Sequence, residues 1–181
     1  MYDYKIEEGR KAHQGYAAFY EGLLCLLNGI KFVTKKDGTP YQNMAKNIDL
    51  SGVKGITNVN LTLRAIPYDL RGSNELHFWF RDKNEKYQEY NIRLKSDFDI
   101  ENVEKERIIK EPCLTPYYNM TLEDLKKYIE DQKKKIQEWL DREKKLLANF
   151  DKAINMAKKF EQDFKAKYPD ISLWYIIKES F

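Results

Sequence analysis

Residues 75–94 read ELHFWFRDKNEKYQEYNIRL, two alternating arms about a polar turn, and their reading decides the fold. In the first arm Leu76, Phe78 and Phe80 share one face, and Glu75, His77, Trp79 and Arg81 share the other. Period-two alternation is what a half-buried strand requires, because successive side chains point to opposite sides of a sheet. Upstream, NVNLTLRAI (58–66) alternates in the same way. With a turn expected through Pro67 to Asn74, the three runs make an antiparallel meander. Leu61, Leu63, Ala65, Leu76, Phe78, Phe80, Tyr90, Ile92 and Leu94 form its buried side. The opposite side collects Asn60, Thr62, Arg64, His77, Trp79, Arg81, Tyr87, Glu89, Asn91 and Arg93, aromatic rings among guanidinium groups.

Outward from the meander the period changes to that of helices. Residues 5–28 repeat apolar groups at Ala12, Tyr16, Phe19, Tyr20, Leu23, Leu26 and Leu27, and Asn28-Gly29 supplies a stop. Gly15 and Gly22 fall near that stripe and admit either the close approach of another backbone or plain tolerance within a packed helix. IKFVTKKDGTPYQNM (30–44) predicts a strand, an Asp37-Gly38 turn and a return arm at a sheet edge, and residues 45–57 predict a loop. A further strand, ERIIK, is expected within 97–120, so that the sheet holds about four to six strands.

Thr121 then opens a helix in the manner of a capping box, with Asp124 in place of the usual Glu or Gln. Ile129, Ile136, Trp139 and Phe150 lie on a heptad stripe interrupted by Gln132 and Glu143, and no Gly or Pro intervenes before Pro169. A continuous helix here is about 45 residues and roughly 70 Å long. Its stripe is expected either to lie across the sheet beneath the first helix or to pair with a second copy in a coiled coil through residues 121–167. The fold class is therefore α+β: residues 1–120 as helix plus antiparallel sheet, and 121–181 as a long helix with an apolar tail.

The chain has 181 residues, 42% hydrophobic and 34% charged, which is enough to bury a core without disulfides. A formal net charge of +3 excludes a whole-molecule field as the basis for binding a polyanion, so any such role must come from local clustering. Cys25 and Cys113 lack zinc or disulfide spacing, which points to a reducing cytoplasm and to no cofactor or metal. The acidic residues near the amino terminus do not fit a signal peptide, and the apolar tail ISLWYII is too short to span a bilayer.

Two readings of the Arg64, His77, Trp79, Arg81, Tyr87 and Arg93 face stay open. A helix covers the rings, with the arginine stems packed around them, or the face contacts protein or nucleic acid, since Trp, Tyr and Arg serve both. Lys133, Lys134, Lys135, Lys144 and Lys145 are interleaved with acids and read as a solvated helix. For catalysis the material is thin: a metal-free nuclease would need His77 as base with Arg64, Arg81, Tyr87 and Glu89 about it, and no hydrolase or phosphate-loop motif accompanies them. No enzymatic activity is expected.

The helix YKIEEGRKAHQGYAAFYEGLL, the aromatic meander and the charged helix YIEDQKKKIQEWLDREKKLLANF together resemble, over the full length, the small anti-CRISPR proteins of phages and mobile elements, particularly inhibitors of Cas9. These inhibitors share no diagnostic motif, so no residue role is carried over. The resemblance implies a non-catalytic protein in the host cytoplasm that binds the Cas9 effector with its guide RNA, with DNA as a further contact. The rival expectations are a nucleic-acid-binding accessory protein and a coiled-coil assembly protein.

Overall fold

The computed structural model describes residues 4–41, 43–68, 71–94 and 121–171. The expected strand ERIIK, Cys113 and the tail beyond Ile171 lie outside these residues. The order of elements is α1 (Tyr4–Gly29), β1 (Lys31–Phe32), a 3₁₀ turn (Met44–Asn47), β2 (Ile48–Asp49), β3 (Thr57–Tyr68), β4 (Arg71–Arg81), β5 (Tyr87–Leu94) and α2 (Leu122–Lys167). The α+β class is thus an amino-terminal helix, antiparallel sheets of two and three strands, and a long carboxy-terminal helix.

The meander has the order β3-β4-β5, with Leu61 opposite Phe78 and Phe78 opposite Tyr90. The arms of the first hairpin run further than alternation suggested: Pro67 pairs with Gly72 and Tyr68 with Arg71, where a turn was expected. Pro67 is tolerated because β3 is an edge strand, where a missing N–H costs a ladder bond only if it faces the neighbour. A bulge between Thr57 and Asn60, with Asn58 at a φ of 52°, inserts one extra residue at the start of β3. The Asp37-Gly38 turn forms, with Gly38 at a φ of 81°, yet the return arm after Pro40 does not. β1 instead pairs with β2, Phe32 opposite Ile48, so this sheet stands apart from the meander.

By packing, the chain divides into two compact units, one of Gly22–Ile136 and the other of α1 up to Glu21 with α2 from Gln137 onward. The divisions fall inside both helices rather than at residue 120. In the Gly22–Ile136 unit, Leu76, Phe78, Phe80, Ile92 and Leu94 are buried together with Leu23, Leu26 and Leu27 of α1 and Leu125, Ile129 and Ile136 of α2. Each such side chain stabilises the fold by about 1.5–3 kcal/mol. Tyr90, at the rim of this core, donates its hydroxyl to Gln132 Oε1 at 2.8 Å, and burial pushes its ionisation up to about 12.

The other unit is an antiparallel helix pair. Tyr20 meets Trp139 at 5.7 Å between ring centroids, His13 Nδ1 lies 2.6 Å from Glu143 Oε2, and Arg10 Nε lies 2.7 Å from Asp151 Oδ1. Ile6, Phe150 and Ile154 form its apolar cluster with Ala153 against it. The inward face of α1 is made by Ile6, Ala17, Leu23, Leu26 and Leu27, whereas Ala12 and Tyr16, expected on it, are exposed. At the start of α2 the expected cap is present: Asp124 N–H donates to Thr121 Oγ1 at 3.1 Å, and Thr121 N–H donates to Asp124 Oδ2 at 2.9 Å.

Two glycines carry different loads. A Cβ at Gly29 would stand 2.4 Å from Val53 Cα, so its role is to let backbone approach backbone, while one at Gly15 would meet nothing within 4 Å. Gly29→Ala is therefore expected to destabilise the protein by about 1–3 kcal/mol, and Gly15→Ala to stabilise it by up to about 1 kcal/mol through helix propensity. Chemical denaturation of both variants beside the parent chain checks the opposite signs.

Candidate functional site

The outward face of the meander forms four cross-strand rows. Arg81 stands opposite Tyr87, Trp79 between Asn60 and Glu89, His77 between Thr62 and Asn91, and Glu75 between Arg64 and Arg93. Asn60, Thr62, Arg64, Arg81, Tyr87, Glu89, Asn91 and Arg93 are all exposed, Tyr87 to 52%. The face is therefore open to solvent over most of its area.

Within it the sequence-predicted residues separate into a cluster and its surround. Trp79 is half-buried at the centre, its ring centroid 4.1 Å from that of His77 and 5.5 Å from the Arg64 guanidinium carbon. Rings and guanidinium at these separations attract through dispersion and the indole quadrupole, which holds the indole and the cation in place. Tyr87 belongs to the same neighbourhood: partial burial and the nearby Glu89 carboxylate raise its ionisation, and the Arg64 charge opposes them. Arg81 and Arg93 stand apart. Arg81 Nη1 donates to the Glu85 carbonyl at 2.9 Å, and Arg93 Nε lies 3.4 Å from Glu75 Oε1.

His77 is the surprise, because alternation places it on the wet side and yet it is only 2% exposed. Among the described residues neither ring nitrogen has a hydrogen-bond partner, and Glu89 Oε2, 3.3 Å from Nε2, lies outside hydrogen-bonding geometry. The Trp79 indole lies close by, its ring centroid 4.1 Å away and tilted by 37° to the imidazole. A general base must reach the proton it takes, and this ring is not placed to do so from a molecule resting on the face.

Of the residues proposed for self-association, Ile129, Ile136 and Phe150 are buried within the chain, and Trp139 is 44% exposed beside Tyr20. The two polar positions of the stripe, Gln132 and Glu143, also have partners within the chain, Tyr90 and His13. Among the described residues no group of three His, Cys, Asp or Glu side chains is placed to hold a metal ion. No helix of the described residues is long and apolar enough to cross a membrane.

A residue that the sequence reading passed over, Asp82, fixes the edge of the site. Its carboxylate accepts from Asn84 N–H at 2.8 Å, Lys86 N–H at 3.1 Å and Gln88 Nε2 at 2.9 Å, which ties the β4–β5 turn. The signal was there in Asp82-Lys83-Asn84, an acid able to bond the backbone two residues on.

Two predictions come from this geometry. Burial works to raise the Asp82 ionisation, but the Gln88 and backbone N–H bonds outweigh it and hold it below the usual carboxylate value of 3.8. The folded state thus binds the Asp82 proton less readily than the unfolded chain, so its stabilisation is present above about pH 4 and is lost as pH falls through the folded value. Acid unfolding followed by circular dichroism is expected to lose that part of its pH dependence in Asp82→Asn. At His77, replacing an imidazole without hydrogen bonds by a phenyl ring is expected to change stability by no more than about 1 kcal/mol. A loss above about 2 kcal/mol in a denaturant melt of His77→Phe would reveal a polar partner.

No protein-family model matches the chain, and comparison with curated proteins and with solved structures gives no match, so the reading of function rests on the geometry of this face.

Proposed function

We propose that this chain is a stoichiometric binding protein, not a catalyst, and that it docks the open face of its meander on a protein component of a host nucleic-acid-processing complex. The observation that carries the reading is the Trp79 cluster: an indole with His77 and Arg64 beside it, on a face most of whose other side chains are exposed. Trp, Tyr and Arg are the residues that dominate binding energy at protein interfaces, and a side chain already held in place loses less freedom on docking.

A polyanion is the less favoured partner. Three arginines share the face with Glu75 and Glu89, and Arg93 is already beside a carboxylate. Tight binding to nucleic acid draws on many unpaired cations at once. The long helix supports the same choice, since Lys133 pairs with Glu130 and Lys126 with Glu123.

The resemblance to anti-CRISPR proteins makes the RNA-guided effector in the host cytoplasm the first partner to test. Purified Cas9 loaded with guide RNA is expected to lose target cleavage as this protein is added to stoichiometry, with Trp79→Ala shifting the curve by roughly tenfold or more. Full cleavage at excess inhibitor, with no complex on size-exclusion chromatography, removes the effector as partner. Salt-steep binding of labelled oligonucleotides, lost in both Trp79→Ala and Arg81→Ala, would transfer the function to nucleic acid.

A further inference from the structure

The three arginines of the open face are not equivalent. Arg81 is engaged by the turn carbonyl of Glu85, and Arg93 by Glu75. Glu75 lies directly opposite both Arg64 and Arg93 in register, yet its carboxylate is beside Arg93. Arg64 has neither a hydrogen bond nor an ion pair with any described residue, and its guanidinium rests against the Trp79 ring at 5.5 Å. Among the described residues its N–H donors are therefore unengaged, and Arg64 is exposed, with the Trp79 ring and Tyr87 near it.

A fork held this way matches a planar, two-oxygen acceptor, which it engages with two parallel hydrogen bonds. The Arg64 guanidinium carbon stands 5.5 Å from the Trp79 ring centroid, and this attraction leaves the cation less freedom to lose on docking. Around it the face carries Glu75 and Glu89, which oppose an extended run of negative charge but leave room for a single one. The chemistry thus favours one carboxylate on a protein over the phosphates of a nucleic acid.

We infer that Arg64, braced by Trp79, is the anchor for an Asp or Glu side chain on the protein partner, and that the partner segment lays an apolar or aromatic group on Trp79 beside it. The inference rests on the docking role proposed above and adds the chemistry of the segment that docks. Arg64 supplies direction and Trp79 supplies area.

The test uses the full chain, immobilised, as bait for a displayed library of random peptides. Recovered peptides are then titrated against the parent chain and against Arg64→Gln, Arg64→Lys and Trp79→Ala, each first shown to melt as the parent does. Peptides sharing an Asp or Glu are expected, with affinity falling roughly tenfold or more in Arg64→Gln and in peptides carrying Asn or Gln at that position. The two changes together are expected to cost no more than either alone, the mark of a direct pair. Arg64→Lys is expected to restore only part of the loss, because an ammonium cannot offer the fork.

Peptides that need Trp79 but are indifferent to Arg64→Gln overturn the carboxylate anchor and leave the docking face standing. Peptides indifferent to both substitutions, or a library that yields none, overturn the anchor and the docking face together.

Discussion

A helix of 46 residues with an apolar stripe needs a cover, and the chain supplies one as far as Ile154, while Met156 and Phe160 beyond it are exposed. In the Gly22–Ile136 unit, Leu125, Ile129 and Ile136 are buried with the core face of the meander and with Leu23, Leu26 and Leu27 of α1. Beyond Gln137 the cover is the amino-terminal part of α1, where Ile6 closes on Phe150 and Ile154. The polar interruptions of the stripe are matched to the same covers, Gln132 to Tyr90 and Glu143 to His13. A polar seam residue sets register when it finds a complementary partner at one position, and here each finds it within a single chain.

Once both helices are engaged with the core face of the meander, the opposite face is released from structural duty. The buried side carries Leu76, Phe78, Phe80, Ile92 and Leu94, which supply the apolar area that holds this unit together. Arg64, Arg81, Tyr87 and Arg93 add little to that core, since exposed charges and rings gain small net free energy from their contacts. Their identities are free to answer to something else. Among the described residues a cost on this face is His77, whose ring is desolvated without a hydrogen bond beside Trp79. It serves as the support that holds the indole.

Much of this was legible because period two and period three-to-four repeats report which side chains a backbone aligns. Alternation gave the two faces of the meander residue by residue, and the Thr121 to Asp124 spacing gave the start of α2. What periodicity does not encode is which element covers which stripe. The heptad placed Trp139 in the seam, whereas Leu140 is buried and Trp139 lies beside it. A straight helix drifts about 20° per heptad against a 3.5-residue repeat, so two heptads beyond Leu125 the inward direction has moved by about 40°, under half of the roughly 100° that one residue turns, and falls between positions 139 and 140. Phe32 pairing with Ile48 is non-local and leaves no local pattern. His77 is buried on the side that alternation assigns to water, beside the Trp79 ring, and residue order alone does not specify that contact.

The two-part nature of the open face also bears on how it discriminates among partners. Net charge of +3 over 181 residues gives weak steering, so selection must come from short-range contacts. A surface that covers Trp79 comes close to Arg64, because the guanidinium carbon stands 5.5 Å from the ring centroid. If it brings no acceptor, an ionised group is desolvated without compensation, at a cost of several kcal/mol. If it brings one, that penalty is replaced by a charge-assisted pair. In the docking proposed above, the aromatic area would draw apolar surfaces in general, and the cation near it would disfavour those that bring no carboxylate in register; affinity would then come chiefly from the indole and specificity from the arginine.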